Sequence, residues 1–241
     1  MQNGKRVGVI FAILSLLFSA CRPKDALVSQ TLSLQMKYGS ERLIMDKIYA
    51  TTAGDSVRFS TAKIYLSNIE LLKSDGSSQL LNTTVYFSLP EVLNVTTQKI
   101  PGGNYTGIRF NFGLTDAQNS FDSTTLSCPN PLCVDNDMWW DETLKYTFVK
   151  LEGGVKKQGE NEFSSLVYHV GTAAYRRTIM IEHPISVTNE EIDRTIVLDI
   201  REILDGANPM NFTTERTTKT FDKPEVAAKF ADNIVNAFSV Q

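Results

Sequence analysis

The chain has 241 residues, of which 42% are hydrophobic and 21% charged, and its 24 basic and 27 acidic side chains give a net charge of −3. This balance excludes the strongly basic surface with which proteins bind nucleic acid or anionic lipid. The length is enough for one domain with one sizeable core.

The N-terminus has the pattern of an export signal that ends at a lipid-modified cysteine. Lys5 and Arg6 precede a twelve-residue apolar segment, Val7–Phe18, and a Ser-Ala pair leads into Cys21. The apolar segment is too short to span a bilayer of ~30 Å. The pattern resembles a bacterial lipoprotein signal, so we expect cleavage before Cys21 and acylation of its thiol. The alternative is a plain secretory signal whose cleavage releases a soluble protein.

The predicted anchor sets the domain organisation. We expect a signal peptide at residues 1–20, a lipid anchor and short tether at 21–30, and a single domain at 31–241. Without Lys5 and Arg6, the net charge of the mature chain falls from −3 to −5. Arg22 follows the cysteine where some inner-membrane lipoproteins carry aspartate, which favours the outer membrane. Acyl chains would then hold a water-exposed domain at the membrane surface.

Apolar residues recur with a period of two along the domain, which predicts β-strands. We predict turns at 74–77, at 101–104 and at Gly153–Gly154, with 163–170 returning beside 146–151 as a hairpin. Strands without regular helices between them predict an all-β, antiparallel β-sandwich, immunoglobulin-like in general architecture. The predicted strands cover 31–38, 57–72, 80–87, 105–112, 146–151, 163–170, 178–181 and 195–200.

The C-terminus changes to a helical pattern. Asp222-Lys-Pro-Glu225 has the form of a capping box with proline in the first turn. We predict a helix of about four turns that packs on the sandwich. Its apolar face consists of Val226, Phe230, Ile234 and Phe238.

Two cysteines remain besides Cys21. Cys128 and Cys133 enclose Pro-Asn-Pro-Leu, and an even pair in an oxidising compartment predicts a disulfide. Closing so short a loop contributes ~2 kcal/mol. A metal site needs more ligands than two thiolates, and no histidine or third cysteine lies nearby in the sequence.

Several segments, in this order and spacing, resemble the MbnP-like family of bacterial envelope proteins, known as copper-binding MbnP-like domains. Each segment is short, but together they extend over most of the mature chain. The segments are Ile64–Leu71, Ile100–Tyr105 continuing to Gly113 and Asn119, Met138–Trp140, Tyr146–Gly153, and Tyr168–Gly171.

The resemblance implies a β-sandwich in the periplasm or on the cell surface, lipidated or secreted. In members that bind copper, histidines hold the ion together with a tryptophan oxidised to kynurenine. A di-haem peroxidase-like partner is associated with that oxidation. For this chain the resemblance therefore implies copper as a cofactor and a di-haem peroxidase-like protein as a partner, and imidazole is a ligand that copper accepts readily.

The chain departs from the family's metal-binding pattern at four places. Leu34–Tyr38 stands where copper-binding members have Trp-x-His near the first strand. Ser120 follows Asn119, where another histidine is common in the family. Glu142 and Lys145 replace the usual second tryptophan and a glycine. The family resemblance therefore implies copper binding, but this chain lacks several of the side chains that hold copper in other members.

The chain has two histidines. His169 lies on a predicted strand within a matched segment and is the candidate copper ligand, with Met36 and Met138 as sources of soft sulfur for Cu(I). The alternative for His169 is a hydrogen-bonded structural histidine. His183 precedes a proline at a strand end, and we expect it at the surface.

The two adjacent tryptophans face opposite sides if their segment is extended. Trp140 corresponds to the tryptophan that the family retains, and either Trp140 or Trp139 is a candidate for lining a shallow site near His169. The alternative for Trp140 is a core side chain whose indole N–H finds a carbonyl. Carboxylates surround this pair, and their spacing favours a solvated acidic loop over a calcium site: Asp135, Asp137, Asp141 and Glu142.

We expect a non-catalytic protein, because the sequence contains no nucleophile elbow, phosphate loop or zinc-hydrolase signature. Glu152 and Asp199 could in principle act as a carboxylate pair, but the sequence cannot show whether they lie close together. Two hypotheses stand. The first is a metal-handling lipoprotein with copper near His169 and Trp140. The second is an envelope interaction module that has kept the sandwich and lost the copper ligands.

Overall fold

The structure is a computed structural model that describes residues 27–90, 93–188 and 192–241. The predicted signal peptide, Cys21 and residues 22–26 of the predicted tether lie outside the described residues. The last four residues of that tether, Leu27–Gln30, belong to the first strand. Within the described ranges, no helix is long and apolar enough to cross a membrane.

The described residues are mainly extended. The thirteen strands are β1 (Leu27–Tyr38), β2 (Glu41–Arg42), β3 (Tyr49–Ala50), β4 (Ser56–Leu72), β5 (Ser78–Ser88), β6 (Leu93–Pro101), β7 (Gly103–Phe112), β8 (Thr147–Lys156), β9 (Ser164–Gly171), β10 (Arg177–Val187), β11 (Ile192–Asp199), β12 (Thr217–Thr218) and β13 (Phe238–Val240). The α-helices are α1 (Asp116–Asn119), α2 (Ile200–Asp205) and α3 (Pro224–Ile234).

These strands form two sheets, which confirms the predicted β-sandwich. One sheet has the order β13-β11-β1-β2 with β6 also pairing β1, and the other has the order β10-β7-β4-β8-β9-β12 with β3 and β5 also pairing β4. Most pairs are antiparallel, as predicted. Two pairs, β1 with β11 and β9 with β12, are parallel, so both sheets are mixed.

The core lies between the sheets and follows the predicted alternation. Along β1 every second side chain from Val28 to Tyr38 is buried. Phe110 of one sheet and Phe238 of the other meet edge to face, with ring centroids 5.0 Å apart. Such aromatic pairs add about 0.5–1.5 kcal/mol beyond the area that they bury. The second face of each strand is left for polar or covering groups.

The predicted turn at Gly153–Gly154 is wrong. Strand β8 continues through both glycines, and the chain reverses near Gly159, whose φ is +89°. Gly153 lies opposite Phe59, next to a register shift in β4, and a Cβ atom there would lie 1.9 Å from the Arg58 carbonyl oxygen. Gly153 therefore allows two backbones to approach closely within the sheet.

The C-terminal helix is present but begins and ends differently from the prediction. Lys223 is its N-cap and makes no side-chain cap hydrogen bond. The carboxylate of Asp222 accepts instead from the backbone N–H of Lys219, at 2.6 Å, so the predicted capping box does not form. Phe238 lies beyond the helix, in β13 opposite Leu198. The eleven-residue helix packs Phe230 against Tyr168, with ring centroids 5.1 Å apart.

Candidate functional site

The alternation of β9 determines where His169 lies. Tyr168 and Val170 are buried in the core, so the side chain of His169 is on the opposite face of the sheet. There it stands beside Lys150, its register partner on β8. Glu152, two residues further along β8, lies on the same face. We call this group, together with Thr61 of β4, the His169 site.

The central contact of the His169 site joins an imidazole and a carboxylate. The Nε2 atom of His169 lies 2.6 Å from Oε1 of Glu152, and the hydroxyl of Thr61 donates to Oε2 of Glu152 at 2.9 Å. A carboxylate only accepts, so Nε2 of His169 carries the proton. No described residue hydrogen-bonds to Nδ1 of His169. The neutral imidazole thus has one lone pair uncommitted.

The electrostatics favour that neutral form. Burial lowers the pKa of His169 below 6.5, and the cationic side chains of Lys150 and Lys219 lower it further, against the opposing effect of Glu152. Burial raises the pKa of Glu152, but hydrogen bonds from His169 and Thr61 outweigh it, so the pKa of Glu152 is lowered. At neutral pH the pair is therefore a neutral imidazole beside an ionised carboxylate.

Thr220 fixes the backbone of β9 at this site. Its hydroxyl donates to the carbonyl oxygen of His169 at 2.7 Å and accepts from the N–H of Gly171 at 3.0 Å. Thr220 is fully buried and has a φ of +67°, which is uncommon for a β-branched residue. The segment before α3 is thus held against β9, and the next residue, Phe221, is placed at the surface.

The two tryptophans have different neighbours. The ring of Trp140 is 6.4 Å from that of Phe221, which is 54% exposed. Trp139 instead packs edge to face on Tyr146 at 4.8 Å, with the ammonium of Lys145 5.3 Å from the indole. Trp140 therefore contacts Phe221, the residue after the Thr220 that bonds the backbone of His169, whereas Trp139 pairs with Tyr146 in an isolated antiparallel bridge.

The candidate sulfur ligands are both buried. Met36 is 1% exposed on the core face of β1, whereas His169 lies on the outer face of the other sheet, so the structure does not bring them together. Met138 is fully buried, and its carbonyl accepts from the N–H of Thr147. His183 is half-buried on β10 at a register shift.

The acidic residues around the tryptophans have structural partners. Asp137 lies 2.9 Å from Lys150 and 3.4 Å from Lys63, so it joins its loop to the outer face of the sheet. Asp141 accepts from the N–H groups of Thr143 and Leu144. Within the described ranges, no group of three or more His, Cys, Asp or Glu side chains is placed to hold a metal ion.

Asp199 has partners separate from those of Glu152. It caps α2 by accepting from the N–H of Arg201 at 3.0 Å, and it also accepts from the N–H of Gly39 at 2.9 Å. Its second oxygen faces Lys37 at 3.5 Å. Asp199 therefore caps α2, whereas Glu152 belongs to the His169 site.

The predicted disulfide between Cys128 and Cys133 is present, with Cα atoms 5.3 Å apart. Buried tyrosines hold the enclosed loop on the outer face of β4 and β8. The hydroxyl of Tyr65 donates to the Pro131 carbonyl at 2.8 Å, and that of Tyr146 donates to the Leu132 carbonyl at 2.9 Å. The loop is thus attached at its centre as well as at its ends.

Comparison with known proteins decides the family. The MbnP family model matches residues 28–223. The chain belongs to the MbnP family. A solved structure, MbnP from Methylosinus trichosporium, matches with a TM-score of 0.60 at 13% identity, covering 89% of this chain and 98% of that one. At this identity the likeness shows a common fold. No curated protein matches the chain.

The donor groups of this MbnP-family chain fit one position of a copper site. The His169 imidazole has its Nε2–H committed to a carboxylate and its Nδ1 lone pair available, which is the usual arrangement of a metal-ligating histidine. Lys150 and Lys219 add positive charge nearby and oppose a bound cation. Imidazole chemistry therefore fits, while the rest of the coordination sphere is not supplied by Met36.

Sequence reasoning did not assign Glu152, Thr61 or Thr220 to this site. His169 stood on a predicted strand, but Glu152 fell between the end of the predicted strand 146–151 and the predicted turn, although it lies within β8 in the structure. The misplaced turn at Gly153–Gly154 hid the register that sets Lys150 opposite His169. Thr220 had no local signal, because it acts across 51 residues of sequence.

Proposed function

We propose that this MbnP-family protein is a lipid-anchored, non-catalytic copper-handling protein of the cell envelope, with His169 as a copper ligand. The contact between Glu152 and His169 carries the proposal. A carboxylate that accepts from one ring nitrogen fixes the tautomer and raises the basicity of the other nitrogen. The family's association with copper supports the same assignment.

The site that we propose is open. One imidazole fills one coordination position, and water or an exogenous ligand fills the others. The cations of Lys150 and Lys219 weaken the binding of a positive ion at His169. We therefore expect weak, one-to-one copper binding suited to exchange, in contrast with a closed storage site.

The anchor and the partner belong to the same proposal. The first strand begins at Leu27, six residues after Cys21, so acylation of Cys21 would hold the sandwich close to the outer membrane.

Trp140 is half-buried beside the exposed Phe221, which supports access by an oxidising di-haem peroxidase-like partner. Peptide mass spectrometry of the native protein tests this step, and unmodified masses for both tryptophans would remove it.

Copper titration of the mature chain tests the central claim. Binding measured by competition should be lost in His169→Ala and weakened tenfold or more in Glu152→Gln, which removes the acceptor charge but keeps the shape. Lys219→Ala should tighten binding, because it removes an exposed cation near the ion. His183→Ala is the matched control and should bind like the wild type. Equal binding by the wild type and His169→Ala overturns the assignment.

A second candidate function is an envelope interaction module that has lost its copper ligands. The two lysines beside His169 favour it, because their positive charges oppose a bound cation. In that case the wild type, the His169→Ala variant and the His183→Ala control all show no copper binding. The same titration therefore separates the two functions.

A further inference from the structure

A cavity of about 540 Å³ lies at the β5 edge of the larger sheet, between α1 and the disulfide loop. Its volume is in the ~300–1,000 Å³ range of small-molecule sites. It shares no residue with the His169 site. Its lining consists of Asn82, Thr83, Thr84, Gln118, Phe121, Leu126, Asn130, Pro131 and Leu132.

The chemistry of the lining is neutral and mixed. Among the described residues that line the cavity, none is charged; they offer amides, hydroxyls and a few apolar groups. Phe121 is 53% exposed, so its ring is accessible to a ligand in the cavity. A cavity without charge has little to offer a metal ion, a phosphate or a carboxylate, because a charged ligand would lose its hydration without a compensating partner.

The strand edge inside the cavity is closed to a peptide. The side-chain amide of Gln118 donates to the Thr83 carbonyl at 2.6 Å and to the Thr84 hydroxyl at 2.9 Å. The Thr84 N–H donates to Oδ1 of Asn82 at 3.0 Å. Because side chains already occupy these backbone groups, an extended peptide cannot add to the sheet here. The cavity therefore suits a discrete ligand.

The opposite wall is cross-linked and presents an amide donor. The disulfide between Cys128 and Cys133 and the hydroxyls of two buried tyrosines hold the enclosed loop in place. Within that loop, Oδ1 of Asn130 accepts from the Leu132 N–H at 2.9 Å, so the Asn130 side chain keeps its NH₂ group as a donor for a ligand. A preformed wall lowers the entropy cost of binding.

We propose that this cavity binds a neutral carbohydrate. The apolar face of a sugar ring packs on the exposed ring of Phe121, and sugar hydroxyls bond to the Asn130 amide and the Thr83 hydroxyl. Uncharged amides and hydroxyls beside one exposed aromatic ring match a ligand that is polyhydroxylated and uncharged. The assignment is independent of copper, because neither Phe121 nor Asn130 belongs to the His169 site.

An array of neutral and charged glycans, followed by titration with the strongest binder, tests the proposal on the mature chain. We expect binding to at least one neutral glycan, weakened tenfold or more in Phe121→Ala. Asn130→Asp should weaken binding similarly, because it keeps the acceptor for the Leu132 N–H but replaces the donor. His169→Ala should bind like the wild type.

Three results would overturn it: no neutral glycan binds, only charged glycans bind, or both cavity variants bind like the wild type. Circular dichroism and thermal unfolding of each variant show whether it is folded. Since Phe121 and Asn130 are exposed, neither substitution should disturb the core.

Discussion

Oε1 of Glu152 and Nε2 of His169 lie 2.6 Å apart on the outer face of the sheet, on neighbouring strands. The contact satisfies both interpretations of a lone strand histidine, because a structural imidazole and a metal-ligating imidazole each need such an acceptor. The two roles differ at the uncommitted Nδ1 atom, because only a metal-ligating imidazole uses that lone pair to bind an ion. Copper binding at that nitrogen is therefore the measurement on which the proposed function depends.

The same pair predicts how stability changes with pH. The folded-state pKa values of His169 and Glu152 are both lowered. At acidic pH the unfolded chain therefore binds more protons at these two groups than the folded protein does. The contribution of His169 to the free energy of unfolding is complete above its unfolded-state pKa of ~6.5, and it is lost as the pH falls through its lower folded-state pKa. The contribution of Glu152 is lost in the same way below ~4.5. Urea unfolding at pH 7.5 and at pH 5 measures this loss. Between the two pH values the free energy of unfolding should fall less in His169→Gln than in the wild type. An identical loss in both proteins would contradict the linkage.

Two buried tyrosines predict opposite results for the loss of a hydroxyl. The Tyr168 hydroxyl is buried without a hydrogen-bond partner among the described residues, whereas the Tyr146 hydroxyl donates to the Leu132 carbonyl. Tyr168→Phe should leave the free energy of unfolding unchanged or raise it, because an unsatisfied group is removed. Tyr146→Phe should lower it by about 1 kcal/mol. Chemical denaturation of both variants measures the difference, and equal destabilisation would refute it.

The paired glycines of β8 provide a test of close backbone approach. A Cβ atom on Gly153 would lie 1.9 Å from the Arg58 carbonyl oxygen, whereas the nearest atoms to one on Gly154 belong to the Phe163 side chain, at 3.0 Å and beyond. Gly153→Ala should lower the free energy of unfolding by about 2 kcal/mol or more, because the backbone has to move. Gly154→Ala should cost less, since a side chain can shift. Thermal melts rank the two, and the reverse order would contradict this account.

The disulfide predicts a modest gain in stability. A double Cys128→Ser, Cys133→Ser variant should unfold with ~2 kcal/mol less free energy, the closure entropy of a short loop. The loop should remain attached by Tyr65 and Tyr146, so the variant should still fold. Equilibrium unfolding with and without reductant measures the loss. Reductant should have no effect on the double variant, which makes it the internal control.

Local patterns predicted much of the fold. The alternation from Thr31 to Tyr38 and from Val57 to Leu72 corresponds to β1 and β4, because half-buried strands require a period of two. The helical spacing that ends at Ile234 corresponds to the buried face of α3. The same spacing failed at Phe238, where pairing of β13 with β11 overrides a helical continuation.

Candidate ligands were harder to predict, because their positions depend on which face of which sheet they occupy. Met36 and His169 were both readable as metal ligands in the sequence. The structure places Met36 between the sheets and His169 outside them. A residue's face follows from strand alternation, but the side of the sandwich on which that face lies depends on the packing of the sheets.

By itself the sequence determined the family, the β-sandwich class, the disulfide and the position of most strands, because each depends on residues close together or on a pattern matched along the chain. Only the tertiary structure decided that Glu152 meets His169, that Thr220 holds the His169 carbonyl, and that the disulfide loop walls a neutral cavity. These contacts depend on strand register and loop packing. Register is fixed by the summed burial of whole strands and by where the chain turns, so no single local motif encodes it.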